Sequence, residues 1–221
     1  MNAIGESLPL QGWTQSPGEE IANGVSHAVG LLGAIIGVPI LVLAAVRHGN
    51  IPFLAGTIIF GTTMLLVYLA STLYHCWPRT HTKSFLQVID HAAIFLLIAG
   101  TYTPFALGPL LVGGGLPMLA IVWALALFGV AMKATRGAVR HRRLSMALYL
   151  GTGWIGLAVI RPLALAIPSS ALLWLVAGGI AYTAGTLFFT NERLRYGHFI
   201  WHLFVLAGSV SHFAAVFICA T

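Results

Sequence analysis

Seven runs of apolar residues, at about 23–46, 53–75, 85–107, 116–132, 144–161, 169–190 and 197–219, fill most of this 221-residue chain. No other feature limits the fold so severely. A helix crosses the hydrocarbon layer of a bilayer with about 20 apolar residues. Within lipid each backbone N–H and C=O needs a partner inside the protein, which a helix supplies from its own segment. The runs therefore predict an all-α fold, a bundle of seven transmembrane helices. Composition agrees, because 58% of residues are hydrophobic and 7% are charged. Soluble domains carry about 25% charged residues, so this chain cannot clothe a water-facing surface. The breaks between runs hold turn chemistry, as in "RHGNIP", "CWPRTHTK", "GPLLVGGGLP", "RPLALAIPSS" and "NERLRYG". Gly178, Gly179 and Gly185 mark points where helices can approach closely.

The opening "MNAIGESLPLQGWTQSPGEE" has no basic region and no apolar core, so it does not read as a secretory signal. Residues 1–22 are expected to form a short cytoplasmic segment ahead of a transmembrane domain over 23–221. With seven spans, the N-terminus shares a side with the second, fourth and sixth connections. That side carries Arg79, Lys83, Lys133, Arg136, Arg140, Arg142, Arg143, Arg193 and Arg195, against Arg47 and Arg161 on the other. The positive-inside rule then puts the N-terminus in the cytoplasm and the C-terminus outside. The formal charge of +6 follows from these connections; no basic face alternates with aromatics, so no nucleic-acid partner is expected. Cys76 and Cys219 fall at opposite membrane faces, and no C-x-x-C motif is present.

In a chain this apolar, ionisable groups inside the spans are costly and mark function. Their depths coincide. Ser71 and His75 end the second span, Asp90 and His91 open the third, His198 and His202 open the seventh, and Asn23 and His27 open the first. Four segments thus set polar side chains in one cytoplasmic layer. Ser71 and His75 are i, i+4 and share a helix face. His198 and His202 are also i, i+4, the spacing that lets two imidazoles reach one metal. His75 makes a third nitrogen ligand, and three histidines with an open position form a catalytic zinc arrangement. Imidazole suits zinc, whereas hard cations prefer oxygen. Asp90, the chain's one aspartate, and Ser71 would hold water or orient a ligand beside it. His212 lies ten residues past His202, about 15 Å deeper, and reads as an interhelical hydrogen-bonding residue. His91 points about 100° away from Asp90 and reads as packing or outer support. His81 and His141 read as solvated loop residues, and Asn23 as a cap of the first span. Glu20, Asn23 and His27 are spaced to share a face and to join the site.

At "EEIANGVSH", "STLYH", "DHAAIFLLIAGTYTPF" and "HFIWHLFVLAGSVSHF" the chain resembles the hemolysin III family, relatives of the progestin and adipoQ receptors. The resemblance implies a seven-helix bundle with a cytoplasmic amino terminus. It implies zinc held by His75, His198 and His202, with Ser71 and Asp90 at the family's other polar site positions. The family is similar to membrane hydrolases that include alkaline ceramidases. The leading expectation is a zinc-dependent hydrolase of lipid amides or esters in a bacterial inner membrane, with membrane lipids as partners. The competing readings are a membrane sensor with structural zinc and a lytic pore. A pore requires a polar stripe through the bilayer, and only scattered residues such as Thr101, Thr103, Ser209 and His212 go deeper than the cytoplasmic layer.

Overall fold

The structure, a computed structural model, describes residues 15–78, 80–136, 142–191 and 193–221. Those residues are almost wholly helical: α1 (Pro17–His48), α2 (Ile51–Cys76), α3 (His81–Leu107), α4 (Gly115–Arg136), α5 (Arg142–Gly153), α6 (Ile160–Ala166), α7 (Ser169–Thr190) and α8 (Gly197–Ala220), with a 3₁₀ turn at Ile155–Val159. Among the described residues, seven segments are long and apolar enough to cross a membrane, α5 to α6 counting as one. The all-α, seven-span expectation holds. His141 lies outside the described residues.

Two boundaries differ from the hydropathy reading for physical reasons. Helix α1 begins at Pro17, because Ser16 and Glu19 form a capping box. Ser16 takes the Glu19 N–H, and the Glu19 carboxylate takes the Ser16 N–H at 2.9 Å. Asn23 is therefore no cap; it lies inside α1, fully buried. His81 is likewise the first residue of α3 rather than a loop residue, though it is exposed. The fifth span is longer than expected, and broken. The Tyr102 hydroxyl inserts at the break, donating to the Gly153 carbonyl and accepting from the Gly156 N–H at 3.0 Å. Trp154 Nε1 donates to Thr183 on α7 at 3.0 Å. The Tyr102 bonds satisfy backbone groups that the interrupted helix releases, and the Trp154 bond ties the break to α7.

Helices α1, α2, α3 and α8 enclose one core, in which Tyr68, Phe53, Phe60, Phe95 and Leu41 are almost inaccessible. Lipid is as apolar as these side chains, so close packing rather than exclusion from water holds the helices together. Small residues make it feasible. A Cβ on Gly178 would lie 2.3 Å from the His212 ring, and one on Gly185 would meet Phe204 and Trp201 at 2.7 Å. Cys76 and Cys219, at the ends of α2 and α8, are free thiols.

Candidate metal centre

The start of α8 is set from α1. Tyr196, immediately before α8, has φ 59, a left-handed conformation uncommon outside glycine. Its N–H donates to Glu19 Oε1 at 2.8 Å, which places a carboxylate at the positive end of the α8 dipole. Two residues on is His198, and one turn further His202.

These two rings and His75 at the end of α2 meet. Ring centroids are 4.6 Å apart for His198 and His202, 5.1 Å for His75 and His198, and 5.0 Å for His75 and His202. One ring nitrogen from each lies within 4.8 Å of the others. His75 and His202 are buried and His198 half-buried. Three imidazole nitrogens this close can share one cation, so the donor set fits a metal ion.

The outer nitrogens fix which lone pair faces inward. His75 Nδ1 is 2.9 Å from Glu20 Oε2. A carboxylate only accepts, so Nδ1 carries the proton and Nε2 is the acceptor. That Nε2 is buried with no protein hydrogen-bond partner. His202 Nδ1 lies 3.2 Å from the Asn23 carbonyl and 3.1 Å from Ser26 Oγ, whose own hydroxyl donates to that carbonyl at 2.8 Å. His202 therefore also protonates Nδ1 and leaves Nε2 for the cluster. A carboxylate or carbonyl on the outer nitrogen is the usual support of a metal-ligating histidine.

Asp90 is buried and faces His75 and Ser71. Ser71 is fully buried, and its hydroxyl closes no hydrogen bond of regular geometry although the Asp90 carboxyl is beside it. His27 joins the group. Its ring stacks on His202 at 3.5 Å and 9°, meets Tyr68 edge-on at 5.2 Å, and neither of its nitrogens has a hydrogen-bond partner. His91 is half-buried, and its carbonyl accepts from Tyr149 at 2.8 Å. His212 is where depth placed it, with Nε2 donating to the Leu175 carbonyl of α7 at 3.2 Å.

Sequence reasoning missed two residues. Glu19 was readable from the S-x-x-E capping box. Lys83 counted only as a topology charge, yet it is buried, 3.1 Å from Glu20 Oε1 and over the Tyr74 ring at 4.9 Å. Its signal was position: Lys83 and Asp90 are seven apart, two turns on one face of α3.

An apolar cavity of about 170 Å³, partly open to the outside of the bundle, is lined mainly by α3, the broken fifth span, α7 and α8. Val67, Ile94 and Trp201 line it, each within about one helical turn of Ser71, Asp90 or His202.

Residues 16–213 match the family model described as Haemolysin-III related. The chain is 42% identical over 201 residues to the hemolysin-3 homolog of Bacillus subtilis (strain 168), covering 91% of this chain and 92% of that one. It is 40% identical over 207 residues to hemolysin-3 of Bacillus cereus, with 92% of each covered. The human monocyte to macrophage differentiation factor is 25% identical over 211 residues, 90% of this chain and 83% of that one.

Proposed function

The chain belongs to the haemolysin-III-related family, and from that premise we propose that it is a zinc-dependent hydrolase of lipid amide or ester bonds. The observation that carries the reading is the convergence of His75, His198 and His202, with buried Asp90 and Ser71 on the His75 side. His75, His198 and His202 would hold the zinc. When bound, zinc supplies Lewis acidity, polarising a scissile carbonyl and making water acidic near neutral pH.

The remaining work falls to side chains. Asp90 accepts the proton of the attacking water, the general-base role its carboxylate can fill. Ser71 steadies that carboxylate and the incoming carbonyl through its hydroxyl. The apolar cavity beyond Val67, Ile94 and Trp201 receives an acyl chain, leaving the polar headgroup at the cytoplasmic layer. The proposed setting is a bacterial plasma (inner) membrane, with the N-terminus and the metal centre on the cytoplasmic side.

The deeper polar side chains favour this over a pore. Thr101 and Thr103 bond carbonyls of their own helix, Ser209 bonds Tyr182 at 2.9 Å, and His212 bonds α7. The test is purified protein in lipid, metal analysis, and a panel of acyl-amide and acyl-ester lipids with mass detection of free fatty acid. One zinc per chain and fatty acid release that disappears in Asp90→Asn support the reading. Full zinc with no release from any panel lipid favours the sensor instead.

A further inference from the structure

Three of the contacts that α1 makes around the cluster fall within five residues, ahead of Ser26 and His27, which touch His202 one turn further on. Glu19 holds the N–H of Tyr196, two residues before His198. Glu20 holds Nδ1 of His75. The Asn23 carbonyl holds Nδ1 of His202. Each contact ends on a different part of the cluster, and all come from the first two turns of one helix that contributes no member of the triad.

Glu20 is the critical member, because its two oxygens are divided. Oε2 faces His75 Nδ1 at 2.9 Å and Oε1 faces Lys83 Nζ at 3.1 Å. The reason for a buried lysine is visible from its other contacts. Nζ also lies 3.3 Å from the Trp77 carbonyl and 3.5 Å from that of His75. These carbonyls are at the end of α2, where the last turn leaves acceptors without intrahelical donors and a cation is favoured. Lys83 thus ties the end of α2 to Glu20, and Glu20 ties the ring of His75 to α1. A fully exposed surface ion pair would contribute little and would say little. This pair is mostly shielded, with Glu20 half-buried and Lys83 buried, and one of its oxygens is committed to a histidine of the cluster.

We propose that the first two turns of α1 are the positioning frame of the three-histidine cluster, with Glu20, anchored by Lys83, setting which ring nitrogen of His75 faces inward. A neutral imidazole can carry its proton on either nitrogen. Only the Nδ1–H form offers an Nε2 lone pair to the cluster, and the Glu20 carboxylate admits only that form. The metal consequence rests on the zinc reading above; the tautomer does not.

The decisive variant is Glu20→Gln, which keeps the shape and divides the two ends of the side chain. Lys83 has only donors, so the amide oxygen turns to Lys83 and the NH₂ turns to His75. A donor facing Nδ1 forces the proton to Nε2 and blocks the inward lone pair. The experiment uses full-length protein in nanodiscs, with ¹⁵N-histidine NMR on metal-free samples and zinc competition against a chromogenic chelator. Wild type should show His75 protonated at Nδ1. Glu20→Gln should show it protonated at Nε2 and bind zinc about 10–100-fold more weakly, the usual cost of losing an outer-shell partner. Adding Lys83→Met frees the amide to reverse, so the double variant should regain the Nδ1–H form and part of the zinc affinity. A role confined to stability would not produce that rescue. An unchanged tautomer and unchanged zinc affinity in Glu20→Gln overturn the proposal. If wild type binds no zinc, the zinc reading fails, and the NMR alone decides the positioning role. Should Glu20→Gln not fold, Lys83→Met retains the carboxylate without its anchor; a several-fold loss of zinc affinity then supports the proposal, and none overturns it.

Discussion

Helix α8 carries three histidines, and its two ends use them differently. At the first end His198 and His202 turn toward His75 on another helix, and His202 is held from behind by the Asn23 carbonyl. Toward the other end His212 gives its one ring proton to the Leu175 carbonyl and packs against Gly178. All three are the same residue on the same apolar helix. Depth and partners separate them. A ring whose donor meets a neighbouring helix carbonyl joins two helices. Rings whose outer nitrogens are engaged and whose inner nitrogens converge make a site. An intramembrane histidine is thus not functional by its presence alone; what decides is where its second nitrogen points.

The sharpest way to break this comparison is topological, since the two ends of α8 should lie on opposite sides of the membrane. In a cysteine-free background, Arg193→Cys should label only from the cytoplasm and Thr221→Cys only from outside, given nine Lys and Arg on one side and two on the other. Labelling of both from one side would remove the layer from which the site was read. Next comes the metal. His75→Ala and His202→Ala should fall from one zinc per chain to about none by elemental analysis, while His212→Ala keeps it. Equal loss in His212→Ala would mean that the two ends of α8 are not distinct.

Chemistry gives a smaller, graded effect. Asp90→Asn should keep the fold, because Asn is nearly isosteric and still forms hydrogen bonds. It should keep zinc to within about 10–100-fold. Fatty acid release should drop about 10²–10⁴-fold, the range for losing a general base. Release that survives in both Asp90→Asn and His75→Ala would trace to a contaminating hydrolase.

The same contrast explains what was legible in the sequence. The seven spans, the i, i+4 pair His198 and His202, and the separate depth of His212 all follow from helix rise and hydropathy. These are local quantities, readable without knowing which helices touch. The frame around the cluster was less visible. Glu19 and Glu20 stand in a polar first turn, and a hydropathy window opens only where charges end, so α1 was started at 23 rather than at Pro17. Asn23 carries two readings in the sequence, a cap and a member of the face shared with Glu20 and His27, and the second holds: Glu20 meets His75, the Asn23 carbonyl meets His202 and His27 stacks on the His202 ring. Lys83 resembled any basic residue at a span end; its role depends on α1 and the end of α2 meeting over it, a tertiary contact that no spacing rule contains. The fifth span was read as one helix ending at 161 because the Tyr102 hydroxyl that divides it comes from α3.

The smallest effect concerns how His212 joins α7 and α8. Removing it in His212→Ala loses one interhelical hydrogen bond, worth on average about 0.6 kcal/mol and at most about 1.7 in a membrane bundle. The Leu175 carbonyl lies within α7 and keeps its own helical partner, so no orphaned acceptor adds to the cost. Gly178→Ala should destabilise more, by about 1–3 kcal/mol, because its Cβ would lie 2.3 Å from the His212 ring. The two changes should couple. Without the ring, the new methyl group loses its nearest obstacle, and the next nearest atom is the Gly208 carbonyl oxygen at 3.1 Å. The double variant should therefore be more stable than the two single losses added together, by about 0.5–3 kcal/mol, the range for residues in contact. Reversible unfolding in mixed micelles measures all four corners of that cycle, and zinc content should stay at one per chain in each. Additive losses would show that His212 and Gly178 do not share a contact. Loss of zinc in any corner would show that this end of α8 reaches the metal centre after all.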